Sequence, residues 1–300
     1  MEQRERFRGC LLGLAVGDAL GMTVENWPRG SFEPMTDIVG GGPFDRPAGH
    51  WTDDTAMAIC LATSLVEHGG FDAPDQMDRY CKWAAGEFLE STGTNFDIGG
   101  TIAEALLGFK NTGNPYSGSS DPQSSGNGCI MRLAPIPMFF FSDEKAVERY
   151  AEDSSKTTHG SAECLGACKL LARIIWRALQ GKSKSKVAFD DSLSFSGTAK
   201  IKAIAQGSYT QKTETEIRGT GYVVESMEAA MWCFIQTDTF EEALLKAVNL
   251  GGDADTTAAV CGQVAGAYYG IQGIPSRWLN VLEMRGEIIG LADRLLLHSS

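Results

Sequence analysis

The sequence lacks an excess of positive charge. Its 300 residues include 38 acidic side chains and only 26 Lys or Arg side chains, for a formal net charge of −12 at pH 7. Such a chain repels a phosphate backbone and offers no basic stripe along which a polynucleotide could bind. We therefore expect no nucleic acid polymer as a partner. An anionic ligand would have to be met locally, by metal ions, backbone N–H groups or helix N-termini.

Cys-x-x-Cys pairs are also missing, which argues against a zinc site. The cysteines lie mostly within apolar helical patterns, and free cysteine is usually buried, so we expect reduced thiols that fill the core. The eight positions are Cys10, Cys60, Cys81, Cys129, Cys164, Cys168, Cys233 and Cys261.

The N-terminal region lacks a long, uninterrupted apolar run. The apolar stretch at residues 10–20 contains Gly13, Gly17 and Asp18, and the highly charged residues 1–8 precede it. This pattern is typical of neither a signal peptide nor a membrane span. We expect no membrane partner and a cytoplasmic location.

Alternating, strand-like runs are nearly absent, and most of the chain follows the helical period. With 43% apolar residues, the chain can bury a sizeable core. We predict an all-α, compact, single-domain helical bundle over residues 1–300, with short helices joined by loops at 182–218. The predicted helices are 4–20, 54–68, 74–90, 99–110, 143–153, 160–180, 221–236, 239–249, 255–269 and 277–297.

Glycine recurs at every fourth position of the first predicted helix, at 9, 13, 17 and 21, and again at 262, 266 and 270. Each glycine inside a helix costs about 1 kcal/mol relative to alanine. A repeated stripe therefore predicts that another backbone approaches closely, and that both helices are central.

Two Asp-rich segments precede apolar helices about 200 residues apart. Each has a structural interpretation, because Asp and Thr are good N-caps and a helix dipole favours acids in the first turn. Capping needs only one such side chain per helix, however. Short oxygen ligands in this number suit a hard cation such as Mg²⁺ or Mn²⁺ if the fold brings the two helix starts together. The oxygen donors are Thr52, Asp53 and Asp54 in the first segment, and Asp253, Asp255 and Thr256 in the second.

Three further segments have both a functional and a structural interpretation. The glycine-rich turn formed by Ser125, Gly126, Asn127 and Gly128 could cradle a phosphate with its N–H groups, or could be an ordinary connection. His159, which precedes a helix, could bind a ligand, cap the helix or lie exposed on the surface. Asp97 also precedes a helix and is equally a cap candidate.

Taken together and in this order, the segments resemble the ADP-ribosylglycohydrolase family. That family includes the hydrolase that reactivates ADP-ribosylated dinitrogenase reductase and the ADP-ribosylarginine hydrolases. The similar segments lie at residues 13–21 (GLAVGDALG), 51–55 (WTDDT), 96–99, 126–132 (GNGCIMR), 159 and 251–256 (GGDADT). The resemblance thus spans nearly the whole chain.

The resemblance implies an all-α fold with a dinuclear Mg²⁺ or Mn²⁺ centre in a cleft. The six oxygen donors named above would hold the two ions. Glu25, a second catalytic residue, would lie beside them on a mobile flap, and Asp97 would act as general acid or base. The turn at 125–128 would take the pyrophosphate of ADP-ribose, and His159 would lie along the same ligand.

The implied reaction is hydrolysis at the anomeric carbon of the distal ribose, through an oxocarbenium-like transition state. Removal of ADP-ribose from arginine side chains of modified proteins is the leading hypothesis. Serine-linked ADP-ribose, poly(ADP-ribose) and O-acetyl-ADP-ribose are alternative substrates, because they would share the metal and pyrophosphate segments. A catalytically silent ADP-ribose-binding relative is the alternative from another class.

Overall fold

The computed structural model describes residues 1–43, 45–87, 98–189 and 195–299. Helices dominate these ranges, and β-structure within them is confined to isolated bridges. The all-α prediction is confirmed. The helices are α1 (Gln3–Gly21), α2 (Asp53–His68), α3 (Ala73–Ala84), α4 (Gly100–Thr112), α5 (Pro135–Phe139), α6 (Glu144–Lys156), α7 (Ala162–Leu179), α8 (Lys184–Ala188), α9 (Ala199–Ala205), α10 (Val223–Ile235), α11 (Phe240–Val248), α12 (Ala254–Tyr269), α13 (Ser276–Val281) and α14 (Arg285–His298).

The antiparallel pair of α1 and α12 forms the centre of the fold. A Cβ atom placed on Gly13 would lie 2.2 Å from the carbonyl oxygen of Gly262, and one on Gly9 would lie 2.3 Å from that of Gly266. No larger side chain fits these positions without moving the backbones apart. The close approach predicted from the glycine stripe is confirmed.

The other long helices cover this central pair. Helices α2 and α14 pack against α1, whereas α7, α10 and α11 pack against α12. Residues Gln3–Val24 are long and apolar enough to cross a membrane by length and composition alone, but 89% of their most apolar stretch is buried inside the protein. All eight cysteines are free, and all except Cys81 are buried, as predicted.

Two helix predictions are wrong, one because it extends too far toward the C-terminus and the other because it misses an internal break. Helix α3 ends at Ala84 rather than at residue 90, and residues 88–90 lie outside the described ranges. The helix predicted at 277–297 is divided into α13 and α14. Met284 adopts a left-handed conformation with φ of 54° at the break. There the Glu283 N–H donates to Gly49 O, and Glu283 O accepts a hydrogen bond from the Trp51 indole N–H, so neither group continues the helix.

Residues 182–218 contain the short helices α8 and α9 and two 3₁₀ turns, in agreement with the prediction for this segment. After a 3₁₀ turn at Met22–Val24, residues 25–43 and 45–51 form a long irregular segment between α1 and α2. Arg29 fastens this segment by donating hydrogen bonds to the carbonyl oxygens of Leu250, Glu214 and Ile217. The irregular segment therefore lies against the start of α12.

Candidate active site

The N-termini of α2 and α12 meet at the C-terminal end of α1. Because α1 and α12 are antiparallel, the last turn of α1 lies beside the first turn of α12. A Cβ atom on Gly21 would lie 2.4 Å from the Cα atom of Asp255. The hydroxyl of Thr256, on α12, lies 3.4 Å from Asp54 Oδ2, on α2. The fold thus brings together two Asp-rich segments that are 200 residues apart in the chain.

The capping interpretation of these segments is wrong for the N-cap side chains. Thr52 is the N-cap of α2 and Asp253 is the N-cap of α12, yet neither side chain accepts a capping hydrogen bond. Elsewhere in the protein Asp72 and Asp143 do cap their helices in the usual way. The side-chain oxygens of Thr52 and Asp253 therefore do not cap these helices.

Carboxylates crowd the junction of the three helices. One oxygen from each of Asp18, Asp54 and Asp255 lies within 4.8 Å of the other two, and the same holds for Glu25, Asp253 and Asp255. Asp18, Asp54 and Asp255 are almost completely buried. None of the ion pairs formed by the described residues includes any of the five aspartates Asp18, Asp53, Asp54, Asp253 and Asp255.

This crowding perturbs the acid–base equilibria of the aspartates. Burial, followed by the charges of Asp18, Glu25 and Asp253, raises the pKa of Asp53 to about 8. Burial and neighbouring carboxylates also raise the pKa values of Asp54 and Asp255 well above the ordinary range. Ionised carboxylates at this density repel one another strongly unless a cation lies between them.

The donor set fits divalent cations. Its members are carboxylate and hydroxyl oxygens, the ligands that Mg²⁺ and Mn²⁺ prefer, and it lacks the sulfur and imidazole ligands typical of zinc. One oxygen of Asp54, Oδ1, is buried and has no hydrogen-bond partner. A buried carboxylate oxygen is rarely left without a donor or a cation.

The segment after α1 places Glu25 against this cluster. Asn26, with φ of 64°, turns the chain back so that its N–H donates to Gly252 O at 2.7 Å. The N–H of Gly252 in turn donates to Trp27 O at 2.8 Å. This backbone bridge holds Glu25 beside Asp253 at the start of α12.

The turn predicted to bind phosphate adjoins the same cluster. Asn127 donates its side-chain N–H to Asp253 Oδ2 at 2.6 Å, and Gly126 and Gly128 face the cleft. Ser125 does not face it. Its hydroxyl points into the protein, where it bonds Pro122 O and the Ser161 hydroxyl.

His159 is neither a surface residue nor a helix cap. Its side chain is 1% exposed and lines the cleft, and Ser161 supplies the cap of α7 instead. Thr158 Oγ1 accepts from Arg132 at 2.6 Å and lies 2.8 Å from His159 Nδ1. When Nδ1 accepts the Thr158 hydroxyl proton, the neutral ring carries its own proton on Nε2. Burial, assisted by Arg132, lowers the pKa of His159 to about 4.

These groups line a cleft of about 590 Å³. Asp53, Asp253, Asp255 and Thr256 form its acidic end with Glu25, and the glycine turn and His159 form its wall. Thr52 and Asp54 lie beneath this acidic end and are 2% and 1% exposed. Asp97 lies outside the described residues.

Asp18 is a site residue that our sequence predictions did not include. It lies in α1, is completely buried, and accepts hydrogen bonds from the backbone and hydroxyl groups of Thr52 and Thr55. The available signal was a single carboxylate within an apolar, glycine-lined helix, because a buried charge needs specific partners.

Comparisons with known proteins agree with this description of the fold. The ADP-ribosylarginine hydrolase Tri1 of Serratia proteamaculans is 38% identical over 297 residues, which cover 98% of this chain and 80% of that protein. The ADP-ribosyl-[dinitrogen reductase] glycohydrolase of Rhodospirillum rubrum is 31% identical, over 94% of this chain and 92% of that protein. A solved ADP-ribosylglycohydrolase-related protein complex superimposes with a TM-score of 0.90 at 40% identity, covering 100% of this chain and 99% of that chain.

The all-α fold is thus shared with a solved ADP-ribosylglycohydrolase-related protein. The sequence model of the ADP-ribosylglycohydrolase family matches residues 1–300, and the chain belongs to that family. Its class of activity is that of an ADP-ribosylhydrolase.

Proposed function

We propose that this enzyme hydrolyses the bond between ADP-ribose and an arginine side chain of a modified protein, and that it requires two Mg²⁺ or Mn²⁺ ions. The linkage is supported by the relatives, one of which is named an ADP-ribosylarginine hydrolase. The observation that carries the metal requirement is the buried, unpartnered Asp54 Oδ1 within a cluster of carboxylates.

The start of α2 and the start of α12 each contribute three oxygen ligands in this proposal. Glu25 closes the acidic end of the cleft from the segment after α1. The positive ends of the α2 and α12 dipoles point at the cluster and offset part of its negative charge. Bound divalent cations would supply Lewis-acid polarisation of a ribose hydroxyl or of the attacking water. The proposed ligands are Thr52, Asp53, Asp54, Asp253, Asp255 and Thr256.

The opposite wall of the cleft provides neutral hydrogen-bond donors for the pyrophosphate. Gly126 and Gly128 line the cleft, where their backbone N–H groups would donate to the phosphates, and His159 Nε2 lies beside them. Ser125 holds the start of this turn through the hydrogen bonds of its hydroxyl with Pro122 O and the Ser161 hydroxyl. Because every donor is neutral or a backbone group, the acidic protein can bind an anion at this wall.

The proposed reaction cleaves the bond between the anomeric carbon and the arginine nitrogen. Water adds to the anomeric carbon, the leaving guanidine nitrogen takes a proton, and ADP-ribose and unmodified arginine are released. We assign the general acid or base role to Asp97 on its resemblance alone. We further propose that residues 1–300 act as one domain, because α1 and α12 form the central pair from opposite ends of the chain. The cytoplasmic location stays a prediction.

The experiment compares an arginine-linked with a serine-linked ADP-ribosyl peptide, each incubated with Mg²⁺ or with EDTA, and measures released ADP-ribose. We expect release from the arginine-linked peptide, only with Mg²⁺, and none from the Asp255→Ala variant. Faster cleavage of the serine-linked peptide would assign the protein to the serine-linked alternative. Binding of ADP-ribose without cleavage of either peptide would make it a silent relative.

A further inference from the structure

Helix α2 begins without a cap from its own segment. Its N-cap residue, Thr52, makes no side-chain cap bond. Asp18 of α1 takes over that function, because its carboxylate accepts from the N–H of Thr55 at 3.0 Å and from the N–H of Thr52 at 2.9 Å. The bond from the third N–H of the helix is the one that an N-cap side chain normally accepts. Asp18 therefore caps α2 from another helix.

The same carboxylate also determines where two hydroxyl protons point. Thr55 Oγ1 donates to Asp18 Oδ2 at 2.6 Å, and Thr52 Oγ1 lies 2.9 Å from Asp18 Oδ1. Thr52 has only one hydroxyl proton, and its other acceptor, Asp54 Oδ2, is farther away at 3.3 Å. The shorter contact assigns the proton to Asp18. The lone pairs of Thr52 Oγ1 are then left for a cation.

We propose that Asp18 is a positioning residue for the divalent-cation centre, holding the Thr52 hydroxyl as a lone-pair donor while keeping Thr52 and Asp54 free from capping. This inference rests on the proposed function, since it requires the centre to bind cations. Asp18 lies within reach of the cluster but is not itself assigned as a ligand. Four donors already occupy its two oxygens, which offer about four lone-pair sites.

The test measures Mn²⁺ affinity by isothermal titration calorimetry on metal-free protein, without substrate. Thr55→Val removes the 2.6 Å hydroxyl bond to Asp18 without touching a proposed ligand, and Thr55→Ser keeps that hydroxyl. Asp18→Asn places an amide N–H against donors of α2. Tyr209→Phe is the matched control, because it removes a buried hydroxyl bond, to Ala188 O, outside the cleft. Amide hydrogen exchange of the first turn of α2, in EDTA, reports the cap without any metal.

We expect Thr55→Val and Asp18→Asn to weaken Mn²⁺ binding by about 10-fold or more, as loss of partners behind metal ligands commonly does. In Thr55→Val and Asp18→Asn, amide hydrogen exchange in the first turn of α2 should accelerate. Thr55→Ser should restore Mn²⁺ affinity, and Tyr209→Phe should leave Mn²⁺ affinity unchanged. Wild-type affinity in Thr55→Val would overturn the inference even where Asp18→Asn fails to fold. The proposed metal requirement is judged separately, by Mn²⁺ binding to the wild type and its loss in Asp255→Ala.

Discussion

The side-chain amide of Asn127 lies 2.6 Å from Asp253 Oδ2 and joins the glycine turn to the acidic cluster. The N–H of Asn127 is held as well, by Gly221 O at 2.9 Å. One residue thus couples the wall proposed to bind pyrophosphate to the end proposed to bind cations. A displacement of the glycine turn should therefore alter the acidic cluster, and a displacement of the cluster should alter the turn.

Asn127→Ala should weaken the binding of ADP-ribose by about 10-fold or more, because the turn loses its bond to Asp253, and a hydrogen bond to a charged group contributes about 1.5–3 kcal/mol. The measurement is calorimetric titration of ADP-ribose in the presence of Mg²⁺. Asn114→Ala, at an exposed asparagine outside the cleft, serves as the control and should bind normally. Equal affinity of both variants would contradict the coupling.

Asp53→Ala and Asp255→Ala should each abolish turnover while leaving the helical circular dichroism signal largely intact. Neither residue is the N-cap of its helix, and both side chains line the acidic end of the cleft. Asp72→Ala is the contrasting variant, because Asp72 does cap α3 through Asp75 N at 2.9 Å. It should lose about 1 kcal/mol of stability and keep its activity. Full wild-type activity after exhaustive chelation would end the two-metal proposal.

Much of the fold could be predicted because its signals are local. The glycine stripe of α1 needed only a four-residue spacing, and the starts of α2 and α12 carried their own Asp and Thr residues. The division between α13 and α14 escaped prediction because it depends on Gly49 and Trp51, more than 200 residues earlier in the chain.

The residue types that form the site could be predicted from the sequence, whereas their spatial arrangement could be predicted less well. The segments bearing Asp53 and Asp255 were recognisable, but their convergence requires the antiparallel packing of α1 on α12. The capping role of Asp18 joins positions 34 and 37 residues apart. The inward hydroxyl of Ser125 and the burial of His159 likewise depend on neighbours that are distant in the chain, such as Arg132 beneath Thr158.

Divalent cations should raise the melting temperature, and by more at pH 8 than at pH 6. Binding to the folded state at 100 times Kd adds about 2.7 kcal/mol. The raised pKa of Asp53, about 8, is a property of the metal-free folded state. Because this pKa is raised in the folded state, the metal-free protein becomes less stable as pH rises from the ordinary pKa of Asp toward about 8. Below about pH 8, protons compete with the cation for the Asp53 carboxylate. Thermal denaturation with Mg²⁺ and with EDTA at both pH values measures the difference. A shift of equal size at pH 6 and pH 8 would contradict the proton competition.

Gly13→Ala should destabilise the protein by about 3 kcal/mol or more, because the added Cβ would meet the backbone oxygen of Gly262 at 2.2 Å and neither helix can move freely. Gly290→Ala in α14 is the matched control. Nothing lies within 4 Å of its added Cβ, so helix propensity should stabilise this variant by up to about 1 kcal/mol. Urea denaturation of both variants gives the comparison, and similar stability of the two would contradict the close packing of α1 on α12.

His159→Phe should weaken ADP-ribose binding by roughly 10-fold, and His159→Gln should recover most of the loss because its amide can still donate. The reason is the assigned tautomer, in which Thr158 donates to Nδ1 and the Nε2–H group lies beside the turn at Gly126. A pKa of about 4 keeps the ring neutral across the working range. The ratio of the His159→Phe and wild-type Kd values, measured with saturating Mg²⁺, should therefore stay constant between pH 5.5 and pH 8. If the wild type instead gained affinity relative to His159→Phe as pH fell through 6.5, an imidazolium would be binding the phosphate. The neutral-donor assignment would then be wrong.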